Sequence, residues 1–386
     1  MDLLMRIGHY MTGIWEPGGI ASYIRRVSGE QVRLGHEVVY FDLEEARAQL
    51  SGNNVNYCSD ESEMLRRAAD LKVDVLHVHC LVSAAEKSTV PFIRTVHGHQ
   101  PYCPSGSRYL KNRHRPCDRS FSFIGCTWGH VVDHCGSVRP ANFVQDFRRT
   151  LVEMRTLKHR WITTVSQFMK DQMVRDGYNP ALIHVLYLPA PPTKDAVPIE
   201  DAKPVRFVFL GRLTTQKGVE WALRSLARTA DPVCLDIGGE GDLQEYLQRL
   251  TAELGLVNRV TFHGWVSQDR VQQLLRECRA VLFPSVWHEP GGTVAFEAMV
   301  NARPVIMSAV GGMPEVVKDG VNGLLVPPND RTGLTQAMDL LAGDHGLATR
   351  LGNAGRELAA VNYTLQGHVL QLLDIYGRCI AASSVS

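Results

Sequence analysis

The sequence predicts an α/β protein built from two doubly wound, parallel-sheet domains that face each other across a cleft. Its 386 residues are enough for two domains of ordinary size. From Val205 onward, short β-rich runs alternate with helical stretches: VRFVFLG then VEWALRSLA, VCLDIGG then DLQEYLQRLTAELG, RVTFHG then QDRVQQLLREC. Strands alternating with helices of this length build βαβ units and a parallel sheet. The segment LPAPPTKDAVPIEDAKP, from Leu188 to Pro204, is rich in proline and charge and poor in large apolar residues, so it reads as a linker between two halves.

In chain order, the first half offers strands from Leu3 to Gly8, Glu37 to Asp42, Val73 to His79, Phe92 to His97 and Trp161 to Ser166. A helix from about Gly19 to Leu34 carries Ile20, Tyr23, Ile24, Val27, Val32 and Leu34 at near-helical spacing. The second half continues with AVLFPS, a helix opening after Gly292, then RPVIMS and NGLLVP. Leu365 to Ile380 is amphipathic and is expected to pack back on the first domain. The expected units are therefore 1–188, with an insertion at about 100–160, then 189–364, and a terminal helix over 365–386. Ligands of open α/β sheets bind beyond the carboxyl ends of the strands, which places the site in the cleft.

Composition narrows the class. Hydrophobic residues make up 45% and charged residues 21%, as in a globular protein with substantial cores. The net charge of +1 gives no global attraction to nucleic acid. No apolar run reaches the roughly 18–20 residues of a membrane helix. The start, MDLLMRIGHYMTG, lacks a basic stretch followed by an apolar core, so no signal peptide is expected. Nine cysteines is an odd count, and Cys80, Cys234 and Cys278 sit in apolar runs, so they read as reduced core thiols of a cytoplasmic protein.

Glu289 and Glu297 in EPGGTVAFEAM are the most informative pair. They follow the apolar run Ala280 to Phe283 and straddle a glycine pair that opens a helix. One carboxylate then sits in a loop at a strand end and the other about one and a half turns into the helix. Between them, the N–H groups of Gly291, Gly292 and Thr293, with the helix dipole, attract an anion such as a diphosphate. Arg212 and Lys217 lie just past another strand end, where a guanidinium fork and an ammonium can neutralise a diphosphate. Gly18 and Gly19 open the first helix and could close over the phosphates from the far side of the cleft. His97 ends a first-half strand and so points at the cleft; His99 is the alternative. Gly238 and Gly239 in GGEGDL lack dinucleotide-binding spacing and read as a strand-end turn.

The second half resembles the retaining glycosyltransferases of the GT-B fold, specifically the group 1 or GT4 family. The resemblance runs through GRLTTQKG (Gly211 to Gly218), GGEGD, VTFHGWV, FPSVWHEPGGTVAFEAM, RPVIMSAVGGMPEVV and NGLLVPPND, in the family's order; LGHEV and TVHGH add to it in the first half. It implies two Rossmann-like domains, the first binding an acceptor and the second a nucleotide-sugar. It further implies that Arg212 and Lys217 bind the pyrophosphate, that Glu297 holds the ribose hydroxyls, and that Glu289 stands at the donor sugar. Gly291, Gly292, Thr293 and Val294 would supply backbone N–H contacts, Val266 would pack the base, and His97 would lie beside the reaction centre. His97 and Glu289 are thus the expected catalytic pair. The family usually carries Phe or another bulky residue where this chain has Gly291, which bears on the shape of the donor pocket. The implied reaction is front-face transfer with retention, metal-independent and without a cofactor, the departing phosphate helping to deprotonate the acceptor. UDP is the favoured donor nucleotide and GDP the second. The acceptor is expected to be a lipid-linked glycan or another cell-envelope or polysaccharide precursor. A nucleotide-sugar epimerase of related fold and a non-catalytic nucleotide-sugar-binding module are the alternatives.

Cys103, Cys117, Cys126 and Cys135 crowd one polar, helix-poor stretch with His114, His130 and His134. Their spacing is not CxxC, which leaves structural zinc, free thiols and disulfides all open. The same region is basic, with Arg108, Lys111, Arg113, Arg115 and Arg119, then Arg139, Arg148 and Arg149. Such a surface suits an anionic acceptor or an anionic membrane on the inner face of the cell envelope.

Overall fold

The computed structural model describes residues 4–16, 18–43, 55–192, 197–230 and 233–383. The first sheet holds β1 (Arg6–Tyr10), β2 (Glu37–Asp42), β3 (Val55–Tyr57), β4 (Val75–Val78) and β5 (Phe92–Val96). A short antiparallel hairpin, β6 (Tyr109–Leu110) and β7 (Arg115–Pro116), stands apart, and β8 (Trp161–Thr164) and β9 (Ile183–Val185) complete the first sheet. Its order is β3-β2-β1-β4-β5-β8-β9, parallel throughout. The second sheet comprises β10 (Val205–Leu210), β11 (Val233–Gly238), β12 (Val260–Gly264), β13 (Ala280–Phe283), β14 (Val305–Ser308) and β15 (Gly323–Val326). Its order is β12-β11-β10-β13-β14-β15, again all parallel. Strands covered by helices on both faces must be apolar along nearly their whole length, which is why β13 reads as an unbroken run and β10 is interrupted only by the exposed Arg206 near its start. In each sheet the strand order reverses once, at β1/β4 and at β10/β13, and the crevice at such a reversal is where open α/β sheets receive ligands.

Strands β3 and β9 escape sequence reading because three residues each, VNY and IHV, give no periodic pattern. The insertion corrects a larger expectation: it is not helix-poor. Helix Phe123–Val131 is capped by the Ser122 side chain, and helix Pro140–Leu157 starts with proline in its first turn. The second helix buries Phe147, Thr150, Glu153 and Leu157, a stripe at helical spacing interrupted by polar residues and so hidden from composition. Of the cysteines expected in the core, Cys278 is buried, whereas Cys80 and Cys234 are half-buried.

The terminal helix, Leu365–Ser383, lies on the first domain and not on the second. Val369, Leu372, Ile375 and Tyr376 share a core with Ile7, Ile24, Val27 and Ile93. The chain therefore crosses between domains twice, and the crossings are tied together where Ala190 N–H donates to the Tyr363 carbonyl at 2.8 Å. Of the linker read between the halves, residues 193–196 lie outside the described residues.

One loop position fixes the second-domain cation. Gly218 has φ of +70°, and a Cβ there would overlap the Pro284 carbonyl oxygen. A left-handed conformation costs a non-glycine residue about 1–2 kcal/mol before any clash. Gly218→Ala is therefore expected to lose more than that, since either the backbone of Pro284 or the Lys217 loop has to move. Urea unfolding checks it, and a midpoint equal to the parent's would contradict it.

Candidate active site

A cavity of about 520 Å³ opens between the domains. From the first domain it is lined by Gly19, Ile20, Tyr23, Arg26 and His97, and from the second by Gly211, Arg212, Lys217, Trp287, Glu289 and the run from Pro290 to Glu297 without Ala295. Residues from both expected motif groups therefore meet in one cleft. Gly18 is the residue before the first helix, beside this lining, and Val266, just past β12, stands outside it against Gly238 at the end of β11.

Glu289 is a buried hub. Its Oε1 accepts from Lys217 Nζ at 2.6 Å, Ser285 Oγ at 2.6 Å and Trp287 Nε1 at 2.7 Å. Lys217 also lies over the faces of Phe283 and Trp287, at 5.2 and 5.6 Å from the ring centres. The ammonium is held in one place by a carboxylate below and aromatic faces beside it. The loop carrying Glu289 is itself clamped: Gly312 N–H donates to the Glu289 carbonyl at 2.9 Å. His99 bonds the His288 carbonyl at 2.6 Å and the Tyr102 hydroxyl at 2.5 Å. With both ring nitrogens committed and the ring buried, His99 braces this loop and is not a cleft residue.

Gly291 has a local explanation. A Cβ there would lie 3.0 Å from Leu188 Cδ1 and 3.1 Å from Val165 Cγ2. Those two side chains, one from the first domain and one from the crossing segment, fill the place a bulky residue would take.

Two helices point their amino ends into the cleft without a cap. Helix Gly19–Arg33 has no capping side chain and no acidic residue in its first turn, and helix Thr293–Val300 is the same in both respects. Open N–H groups at a helix start, together with the dipole, favour an anion. In front of Gly18 and Gly19 a Cβ would meet nothing within 4 Å, so the approach to the first of these ends is clear.

Glu297 lies on the second helix turn, and burial pushes its carboxyl above the ordinary range while Arg26 across the cleft draws it back. Arg26 is held by the Pro189 and Ala190 carbonyls, and its own burial lowers its pKa. Sequence reasoning did not single out Arg26 or Trp287, and placed Tyr23 only on the apolar face of the first helix. Only the folded chain brings the first helix to Glu297, whereas Trp287 was legible as an aromatic residue two positions before the acidic loop residue.

His97 does not stand alone. His9 Nε2 meets Gln31 Oε1 at 2.8 Å, His9 Nδ1 meets His79 Nε2 at 3.2 Å, and His79 Nδ1 meets His97 Nε2 at 3.1 Å. Burial lowers the pKa of His9 to about 4, that of His97 to about 3, and that of His79 well below its usual value, so all three rings are neutral. A neutral imidazole has one donor and one acceptor nitrogen. Gln31 turns its amide nitrogen to Tyr376 Oη at 3.4 Å and its oxygen, which can only accept, to His9. His9 then donates from Nε2 and accepts at Nδ1, His79 does likewise, and His97 donates from Nε2 and keeps Nδ1 as an acceptor. A second branch agrees: Tyr376 donates to His77 Nδ1, which leaves His77 Nε2–H for Thr95 Oγ1, each at 2.5 Å. Among the described residues, His9, His77 and His79 are the group whose ring nitrogens could gather round a metal ion, and all six nitrogens have protein partners.

Known proteins agree with this architecture. Residues 17–194 match the family model for Glycosyltransferase Family 4, and residues 192–358 match that for glycosyl transferases group 1. An uncharacterized glycosyltransferase of Methanocaldococcus jannaschii is 25% identical over 93% of this chain and 94% of its own. Among solved structures, sucrose-phosphate synthase from Thermosynechococcus elongatus superposes with a TM-score of 0.77 at 20% identity, covering 98% of this chain and 100% of its own. Anabaena HepE, solved in complex with UDP and glucose, gives 0.70 at 18% identity over 97% and 100%. Two parallel sheets facing across a cleft, and two matched models that together run from residue 17 to residue 358, lead to one conclusion: the chain belongs to the group 1 (GT4-type) glycosyltransferases of GT-B fold.

Proposed function

We propose that this enzyme is a retaining glycosyltransferase that moves a sugar from a nucleoside diphosphate to a lipid-linked glycan or another cell-envelope or polysaccharide precursor. The observation that carries the reading is the pairing of two uncapped helix starts with Arg212 and Lys217 around one cleft. Four sources of positive potential on a single cavity suit a diphosphate. Glu297 accepts from the ribose hydroxyls, Glu289 presents Lys217 and stands at the sugar, and the amides from Gly291 to Val294 hold sugar and phosphate. The bond from the anomeric carbon to the β-phosphate oxygen breaks while the acceptor oxygen bonds the same carbon from the same face. The acceptor proton passes to the departing phosphate. Arg212, Lys217 and the helix ends take up the leaving-group charge, so the reading assigns that task to the protein and not to a metal ion. UDP is the favoured nucleotide, supported by the UDP bound in HepE, with GDP second.

Among the described residues no helix is long and apolar enough to cross a membrane. The insertion exposes Phe123, Ile124, Trp128 and Val131 on one helix, and Arg113, Arg115, Arg139 and Arg148 belong to the same insertion. Amphipathic aromatic and aliphatic side chains with basic neighbours suit peripheral attachment to an anionic inner membrane face.

The test is a thermal-shift screen with UDP, GDP, ADP and their sugar conjugates, followed by turnover assays. A ligand that binds only the folded state stabilises it by about 2.7 kcal/mol at one hundred times its Kd. UDP and UDP-sugars are expected to raise the melting temperature in the parent and much less in Arg212→Ala. No shift with any nucleotide would overturn the donor-site reading, and an epimerised sugar formed without acceptor would replace transfer by epimerisation.

A further inference from the structure

The insertion gathers four thiols that glycosyl transfer does not use. Cys103, Cys117, Cys126 and Cys135 line a single small cavity with His130, away from the cleft. They arrive from four places: the loop after β5, the residue following β7, helix Phe123–Val131 and the turn beyond it. None is in a disulfide. Local bonds fix the backbone of three: Cys117 N–H to the Arg108 carbonyl, Cys126 N–H to Ser122 and Cys135 N–H to Gly129, at 2.8 to 3.0 Å.

A second, independent observation lies in the same wall. Arg108 was counted in the sequence as part of a basic surface, yet it is 2% exposed and lines this cavity. Its Nε and Nη2 have no hydrogen-bond partner. A buried guanidinium with idle donors is costly, and the cost disappears when anionic sulfurs accept from it. Arg119 lines the cavity too, but its guanidinium is already paired with the buried Asp133 carboxylate at 2.7 Å, so Arg108 is the unpartnered cation of this wall. A divalent ion held by four thiolates carries −2 overall, and the unpartnered Arg108 guanidinium offsets part of that charge.

We propose that Cys103, Cys117, Cys126 and Cys135 bind one zinc ion as thiolates, with the buried Arg108 guanidinium donating to the sulfurs. Tetrahedral thiolate sets select zinc or an iron–sulfur cluster. The cavity, about 20 Å³, has room for a single ion and not for a cluster. No three of the sulfurs lie within 4.8 Å of one another, the spacing reached among the described residues by the buried histidines. Binding therefore draws them inward to the Zn–S distance of about 2.3 Å. Four S–H bonds are replaced by four Zn–S bonds and four protons leave, so binding strengthens as pH rises. The ion ties the loop that follows His97 and His99 to helix Phe123–Val131.

The test is elemental analysis of the full chain purified without chelator or an affinity tag that binds metal, with thiols titrated before and after a mercurial releases bound metal. About one zinc per chain is expected, with four thiols becoming reactive only on release. Cys117→Ser and Cys126→Ser should lose the zinc, and Cys234→Ser, in β11, should keep it. Should the serine variants fail to fold, the parent stripped by chelator and reloaded with zinc gives the same reading through its melting temperature. Absence of zinc in the reduced parent, before and after incubation with the ion, would overturn the proposal. So would two disulfides in place of four thiols, or the visible absorption of an iron–sulfur cluster.

Discussion

Glu289→Ala is expected to abolish measurable transfer and to destabilise the protein by about 3–5 kcal/mol, the cost of removing one partner from a buried ion pair. The carboxylate is 4% exposed and serves three donors through one oxygen. Its loss strands the Lys217 ammonium, the Trp287 indole N–H and the Ser285 hydroxyl together. Glu289→Gln separates structure from chemistry, because an amide oxygen still accepts in the same place while the charge that orients Lys217 is gone. For the glutamine variant the fold should survive, with kcat lower by on the order of 10²-fold, as when one preorganised electrostatic contact is lost. Denaturant unfolding, nucleotide titration and turnover on the two variants decide the matter. Parent-like turnover in Glu289→Ala would remove this residue from the site.

The second large effect comes from a residue that touches no substrate. His79 is 3% exposed and sits between His9 and His97, where it passes on the tautomer that Gln31 dictates. His79→Phe removes the acceptor of His97 Nε2–H, so His97 loses both its orientation and its reason to keep Nδ1 unprotonated. A misplaced reacting or contacting group costs about 10–100-fold, and kcat is expected to fall by that much with little change in nucleotide affinity. Nitrogen-15 chemical shifts of His97 report the protonated nitrogen directly. Parent-like shifts in His79→Phe would show that the chain of rings does not set the tautomer. The pH profile supplies a sign. A histidine lowered to about 3 stays neutral from pH 8 to pH 5, so activity lost on acidification in that window does not come from His97. Glu297, raised by burial, takes up its proton at a higher pH than an ordinary carboxylate, and Glu297→Gln should flatten the acid limb.

Much of the second domain was legible because its strands are buried on both faces and its cleft-lining residues sit at strand ends in sequence-local groups. Arg212 and Lys217 follow β10, and Glu289 to Glu297 follow β13, so reading along the chain was nearly reading along the site. The first domain offers no such economy. Arg26 reaches the cleft only through the docking of a whole helix. The histidines come from three strands that become neighbours only in the order β1-β4-β5. One signal was available: His77 and His79 are two apart in an apolar strand and therefore share a face, as do Thr95 and His97 about the end of the next. Gly291 was read as an anomaly because its filler, Val165 and Leu188, lies more than a hundred residues earlier. The insertion helices were missed because polar residues such as Thr150 and Glu153 occupy their buried stripes.

The return of helix Leu365–Ser383 to the first domain means that the gene's two halves are not the molecule's two halves. Cutting in the linker would leave the amino-terminal fragment without Tyr376, whose hydroxyl receives Gln31 and faces His77, and with Ile7, Ile24 and Ile93 bare on one side. The unit that evolution could shuffle or an engineer could transplant is therefore a split one, recoverable by circular permutation or by supplying the last nineteen helical residues in trans. First domains exchanged between relatives of this protein would have to bring their own terminal helix with them.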